Sequence, residues 1–310
     1  MLTHKHIGRR TLRLVLGTLL MLAAGAVAAA PMVRFSVPPW PGVEVETEVV
    51  SQIFQAMGYD TDSISAAPTL AIKAVSNGDV DAELAVWIPS QKSTLESVMK
   101  EGNIAISGTE LDDALYGIVV PDYVWDAGVH SIADLNKYAD KFGKVIYGID
   151  AGSDGNLLVK KAIEDGTYDL PGWQVRPSST SAMLVQAQRR IDEHKWVAFL
   201  GWKPHWMNIA MNLKYLEDPK GIWGGKYLIH TIANKKFLQD NPDIKRFLKQ
   251  FKVTSETQSA WIYRFSFKKI DKAKVAKEWI SQNKDVVNQW LAGVNAVDGQ
   301  AAVEVVDKAF

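Results

Sequence analysis

The chain has 310 residues, with 35 basic and 35 acidic side chains, 11 tryptophans and no cysteine. A chain of this length buries enough apolar surface to fold without staples, and the absent thiols exclude disulfides, a lipid-modified cysteine anchor and cysteine chemistry. No run of Lys or Arg marks a nucleic-acid surface, so nucleic acid is not an expected partner.

Residues 1–28 read as an export signal. Lys5, Arg9, Arg10 and Arg13 precede an apolar run over 14–28, and Ala26 and Ala28 supply the small-x-small pattern of cleavage near Ala28. The run is short for a bilayer span and ends in small residues, which argues against an uncleaved anchor. Arg9-Arg10 loosely fits a twin-arginine signal, but paired arginines are common in such segments and the general export route is preferred. Setting those four cations aside leaves 31 of the 35 basic residues against 35 acidic ones, a net charge of about −4. The expected location is the periplasm.

Beyond the signal, short apolar runs alternate with amphipathic ones. Strands are predicted over 33–37, 82–86, 116–120, 145–149, 196–200 and 228–233. The intervening periodicity predicts helices over 43–57, 69–76 and 181–193, and a long helical tail over 234–292; the first places Val45, Val49, Ile53 and Met57 on one face. This alternation specifies an α/β fold of mostly parallel sheets flanked by helices. At this length the core divides into two lobes, one built from 29–120 plus 214–310 and the other from 121–213. A ligand cleft is expected where strand C-terminal ends meet.

Four aromatics stand off the helix stripes: Trp40 in PPWPG, Trp87 in AVWIP, Tyr116 in LYGIVVP and Trp202 in GWKPHW. Each lies beside Pro or Gly at the end of a strand-like run, where a ring faces a cleft and not a core layer. Converging electron-rich rings suit a quaternary ammonium, which has no proton to donate and is held by cation–π attraction and apolar contact. By contrast Trp261, Trp279 and Trp290 fall in amphipathic runs and Trp196 within a strand, all expected in the core. Trp125, Trp173 and Trp223 fall in loops, as candidates for a cleft rim.

Nothing points to catalysis. There is no G-x-S-x-G elbow, H-E-x-x-H pair or phosphate-cradling P-loop, and the six histidines show no metal spacing. No metal or cofactor is expected. The GSDGN stretch at 152–156 lacks the Lys of a phosphate loop and reads as a strand-to-helix turn with free N–H groups. Ser153 and Asp154 are candidate ligand contacts there; a plain helix start fits the spacing equally well.

Taken together, the Trp40 loop, GDVDAELAVWIPS, LYGIVVP, GIDAGSDGN and FLGWKPHWMN resemble the periplasmic substrate-binding proteins of ABC importers for glycine betaine, choline and carnitine. The resemblance covers nearly the whole chain after the signal. It implies a non-catalytic, monomeric receptor of the two-lobe (type II-like) binding-protein fold, read by an ABC permease in the inner membrane. It also implies that Trp40, Trp87, Tyr116 and Trp202 form the box around the trimethylammonium group. Choline-specific relatives tend to carry an acidic residue just after the first box tryptophan, whereas Pro41-Gly42 follow Trp40 here. Gly42 and Val43 instead offer N–H groups suited to a carboxylate. Many relatives have Asn where this chain has Ser153. These departures favour glycine betaine, then carnitine, then choline, with His205 as a second carboxylate partner. A sensory receptor of the same fold remains open, as does a secreted protein stacking sugars on its tryptophans, which needs two facing carboxylates.

Overall fold

The computed structural model describes residues 30–310 apart from Gly225, so the export-signal expectation for 1–28 lies outside the described residues. The described strands are β1 (Met32–Val37), β2 (Asp60–Ser65), β3 (Ala82–Ile88), β4 (Ile104–Pro121), β5 (Val145–Tyr147), β6 (Gln174–Arg176), β7 (Ala198–Lys203), β8 (Leu213–Tyr215) and β9 (Tyr227–Asn234). They form a mixed sheet in the order β2-β1-β3-β9-β4-β7-β5-β6, with β8 also on β4. β1 is parallel to β2 and β3, and β5 is parallel to β6 and β7. Between these parallel flanks, β9 and β4 run antiparallel to their neighbours.

β4 changes partner part-way along. Its pairing with β9 ends at Ala114, and its pairing with β7 begins at Leu115. One strand thus belongs to both halves of the sheet. The sequence pattern shows only its last third because three register shifts interrupt the first part, between Ile106 and Gly108, Thr109 and Leu111, and Leu111 and Ala114. Each bulge breaks the two-residue period on which strand recognition depends. β2 escapes for another reason: it is an edge strand of largely exposed polar residues.

The helix Pro41–Ala56 opens with proline at its start, where no intrahelical N–H is needed, and carries Glu44 in its first turn. Val45, Val49, Val50, Ile53 and Phe54 are fully buried. Phe54 meets Phe247 edge-on at 4.8 Å, and Phe251 meets Trp290 at 4.7 Å. Trp279 stacks on Trp290 at 5.5 Å and meets Trp261 edge-on at 4.9 Å. The three tail tryptophans are packing residues, as their helical spacing indicates. Trp196 precedes β7 instead of lying in it, since that strand starts at Ala198, and its ring packs on Tyr138 and Phe142. Among the described residues no helix is long and apolar enough to cross a membrane.

Phe247 is fully buried at the centre of this aromatic layer. Phe247→Ala is therefore expected to cost about 3–5 kcal/mol in urea unfolding. A loss below about 1 kcal/mol would show that the layer does not hold the tail helices to the sheet.

Candidate ligand-binding site

The candidate aromatics come from strand ends. Tyr116 on β4 and Trp202 on β7 are register partners, their rings edge-on at 6.1 Å. Tyr116 also meets Tyr227, at the start of β9, at 5.8 Å, and Tyr227 meets Trp87, near the end of β3, at 6.3 Å. Three of the four predicted rings are thus joined in one chain through a tyrosine that sequence reading passed over. Trp223 joins the chain at 5.0 Å from Tyr116. Trp40 has no ring contact with this group among the described residues; it is the half-buried N-cap of the helix Pro41–Ala56.

Behind Tyr116 lies the GSDGN turn, which opens the helix Asp154–Glu164. Asn156 closes the turn: its Oδ1 accepts from the Ile149 N–H at 3.0 Å, and its Nδ2 donates to the carbonyls of Ile149 and Asp150 at 2.8 and 3.1 Å. The Gly155 N–H faces the Tyr116 hydroxyl. A Cβ at Gly155 would overlap the Tyr116 ring, so only glycine admits this approach. Ser153 Oγ is buried without a partner, while Asp154 is exposed. Burial first, and then the Asp154 carboxylate, push the Tyr227 hydroxyl up to about 12. Burial, Tyr227 and Asp154 raise Tyr116 further still. Both stay neutral phenols, and Tyr227 Oη is without a partner. A cavity of ≈ 340 Å³, lined in part by Pro89, Asp154, Leu158, Trp223 and Tyr227, adjoins them.

A second set of candidate polar groups comes from the start of the helix Pro41–Ala56 and from the loop after β7. No side chain caps the helix Pro41–Ala56, and its first internal bond runs from the Glu44 N–H to the Trp40 carbonyl. The N–H groups of Gly42 and Val43 have no acceptor among the described residues. His205 is buried and accepts the Met207 N–H at Nδ1 (3.3 Å), which leaves the ring proton on Nε2. Desolvation lowers its pKa to about 3, so the ring is a neutral donor. It lies edge-on to Trp202 at 4.9 Å.

Deeper still are three carboxyls that no sequence pattern suggested. Glu46, Glu83 and Glu110 are each at most 1% exposed. Gln258 Nε2 donates to Glu46 Oε2 at 2.8 Å and Thr231 Oγ1 to Glu110 Oε2 at 2.5 Å. The N–H of Ala85, a bulge residue at φ 92°, also serves Glu110. Both oxygens of Glu83 and the remaining oxygens of Glu46 and Glu110 have no partner. Desolvation raises all three pKa values, Glu110 to about 7, and the neighbouring Glu110 charge pushes Glu46 and Glu83 up further.

Neutral rings from both halves of the sheet thus meet at one place, and the start of the helix Pro41–Ala56 leaves two N–H groups without an acceptor among the described residues. Residues 31–282 match OpuAC, the substrate binding domain of ABC-type glycine betaine transport system. The chain belongs to this family of substrate-binding domains, which are receptors and not enzymes. It is 36% identical over 160 residues to the glycine betaine/carnitine transport binding protein GbuC of Listeria monocytogenes serotype 1/2a (strain 10403S), a match covering 52% of this chain and 53% of that protein. The chain therefore aligns to about half the length of this curated relative. An ABC-transporter choline binding protein solved with choline superposes with a TM-score of 0.80 at 27% identity, over 90% of this chain and 97% of the other. Lactococcal OpuAC, closed on glycine betaine, gives 0.75 at 30% identity, over 84% and 99%. Such neighbours are two-lobe binding proteins with a ligand cleft, the architecture expected from the α/β alternation.

Tyr227 is the ring that sequence reading passed over, and Trp223 is expected there only at the cleft rim, not in the box. Trp223 is followed by Gly224, a Pro- or Gly-adjacent context like that of the chosen four, and that signal could have included it. Of the other two rim candidates, Trp173 is buried against Phe142, and Trp125 lies in the short helix Asp122–Asp126, not in a loop, and packs on His130.

The carboxyl cluster makes stability depend on pH with a definite sign. Groups whose pKa is raised by folding bind protons more readily folded than unfolded, so stability falls as pH rises from the ordinary carboxyl range through about 7. Glu83→Gln removes one such proton and should raise Tm by a few degrees at pH 8, and by less at pH 5. An identical pH slope of Tm in wild type and variant would show that Glu83 holds no extra proton.

Proposed function

We propose that this chain is the periplasmic solute receptor of an ABC importer, binding quaternary ammonium compounds in the order glycine betaine, carnitine, choline. The observation that carries the reading is the ring chain Trp87–Tyr227–Tyr116–Trp202, which gathers neutral aromatic faces from β3, β9, β4 and β7 at one place. Each ring facing a trimethylammonium group contributes about 0.5–2 kcal/mol, so three or four support micromolar binding once water is excluded. Trp40, at the head of the helix Pro41–Ala56, would complete the box when the ligand is bound. The free N–H groups of Gly42 and Val43, together with the neutral Nε2–H of His205, favour a ligand with a carboxylate. Ser153 and Asp154 would supply polar contacts at the opposite helix start.

In this reading the lobes are 29–120 plus 214–310 and 121–213, and the ligand bridges them, shifting the population toward a closed form that an inner-membrane permease reads. The receptor acts as a monomer after removal of the signal near Ala28. The names of the relatives, which include glycine betaine, carnitine and choline, agree with the ligand class.

Titration of the mature protein, followed by tryptophan fluorescence, is the direct test. Saturable micromolar binding of glycine betaine and carnitine, with choline weaker, is expected. Preference for choline would keep the box and overturn the assignment of Gly42 and His205. Trp202→Ala should weaken glycine betaine binding by about tenfold or more while leaving Tm within a few degrees. Unchanged affinity would remove Trp202 from the site.

A further inference from the structure

The two groups assigned to the ligand carboxylate come from different halves of the sheet, yet neighbouring residues of one helix touch both. Gly42 and Val43 follow β1, and His205 follows β7. The helix Ser255–Ile262, from the tail, packs on the helix Pro41–Ala56. A methyl group at Gly42 would lie 3.7 Å from Gln258 Cδ and 3.3 Å from Ile262 Cδ1, so the Gly42 backbone rests directly on this helix. Gln258 also donates to Glu46, one turn into the helix that Gly42 opens. The next residue, Ser259, accepts the His205 backbone N–H at its Oγ, 3.1 Å away. Gln258, Ser259 and His205 are each 3% exposed.

We infer that Gln258 and Ser259 are positioning residues that set the receptor's preference for carboxylate-bearing ligands, holding the Gly42–Val43 amides and the His205 ring in one frame without touching the ligand. The inference rests on the carboxylate assignment proposed above. Its physical basis is the Ser259 Oγ contact. A buried backbone N–H needs an acceptor, and this one ties the loop after β7 to the helix beneath Gly42. With Nδ1 engaged by the Met207 N–H, the ring has little freedom, and Nε2–H is the only donor left to offer. The backbones that carry Tyr116 and Trp202 do not depend on this tie, because they are held by strand pairing between β4 and β7, and Ser259→Ala leaves the His205 ring beside Trp202 instead of removing it. Loosening the tie should therefore weaken recognition of the carboxylate and spare the grip on the ammonium.

The test compares glycine betaine with choline, which has the ammonium but no carboxylate, by calorimetric titration of wild type, Ser259→Ala, Ser259→Thr, His205→Ala and the Ser259→Ala/His205→Ala double variant. Ser259→Ala is expected to weaken glycine betaine about tenfold and choline by less than about twofold. Ser259→Thr, which keeps the oxygen, should restore the wild-type ratio. In the His205→Ala background, Ser259→Ala should cause no further loss, since both act through the same ring. Should Ser259→Ala not fold, Ser259→Cys provides a weaker acceptor for the same comparison. Equal weakening of both ligands, or a wild-type ratio in Ser259→Ala, would overturn the positioning role while leaving the carboxylate assignment intact. A wild-type protein with no preference for glycine betaine over choline would overturn both.

Discussion

Much of the architecture turns on Tyr116. It lies two residues past the last pairing of β4 with β9 and within the first pairings of β4 with β7. Its ring contacts Trp202, Trp223 and Tyr227, and its hydroxyl meets the Gly155 N–H at the start of the helix Asp154–Glu164. The absence of a side chain at Gly155 is what allows a helix start to approach a ring so closely. A single side chain therefore ties the strand shared by both halves of the sheet to the turn that faces the candidate site. The ring chain Trp87–Tyr227–Tyr116–Trp202 follows from that placement.

The polar chemistry is arranged around neutral groups. His205 is held uncharged by burial, and Tyr116 and Tyr227 are phenols raised well clear of ionisation. The buried carboxyls Glu46, Glu83 and Glu110 are pushed toward their protonated forms. Neutral donors and aromatic faces can surround a zwitterion without bringing a competing buried charge, which would be costly in this environment. The helix starts supply the remaining polarity as backbone N–H groups, whose partial charge needs no counter-ion.

Membership of a glycine betaine substrate-binding family bounds the chemistry to recognition and release. Discrimination among ligands that share a trimethylammonium group then falls to whatever meets the other end of the molecule. In the proposed reading the rings would confer class, and the Gly42, Val43 and His205 groups, braced from behind by Gln258 and Ser259, would confer choice within it. Small differences at these positions are enough, since each tenfold preference needs only about 1.4 kcal/mol.

Several features were legible without coordinates. The α/β alternation, the helix Pro41–Ala56, the helical tail and three rings of the candidate site, which the structure brings together, follow from hydrophobic period and from Pro and Gly beside strand ends, because both are local properties of the chain. The core roles of Trp261 and Trp290 were likewise visible in their helical spacing. Other features required the tertiary structure. The long first part of β4 is masked by bulges, β2 by its exposure at the sheet edge, and Tyr227 by its resemblance to any strand-opening tyrosine. The convergence of Glu46, Glu83 and Glu110, and the contact of Ser259 with His205 across 54 positions, leave no trace in periodicity. Local pattern specifies which face of an element is buried; only packing decides which distant residues share that burial.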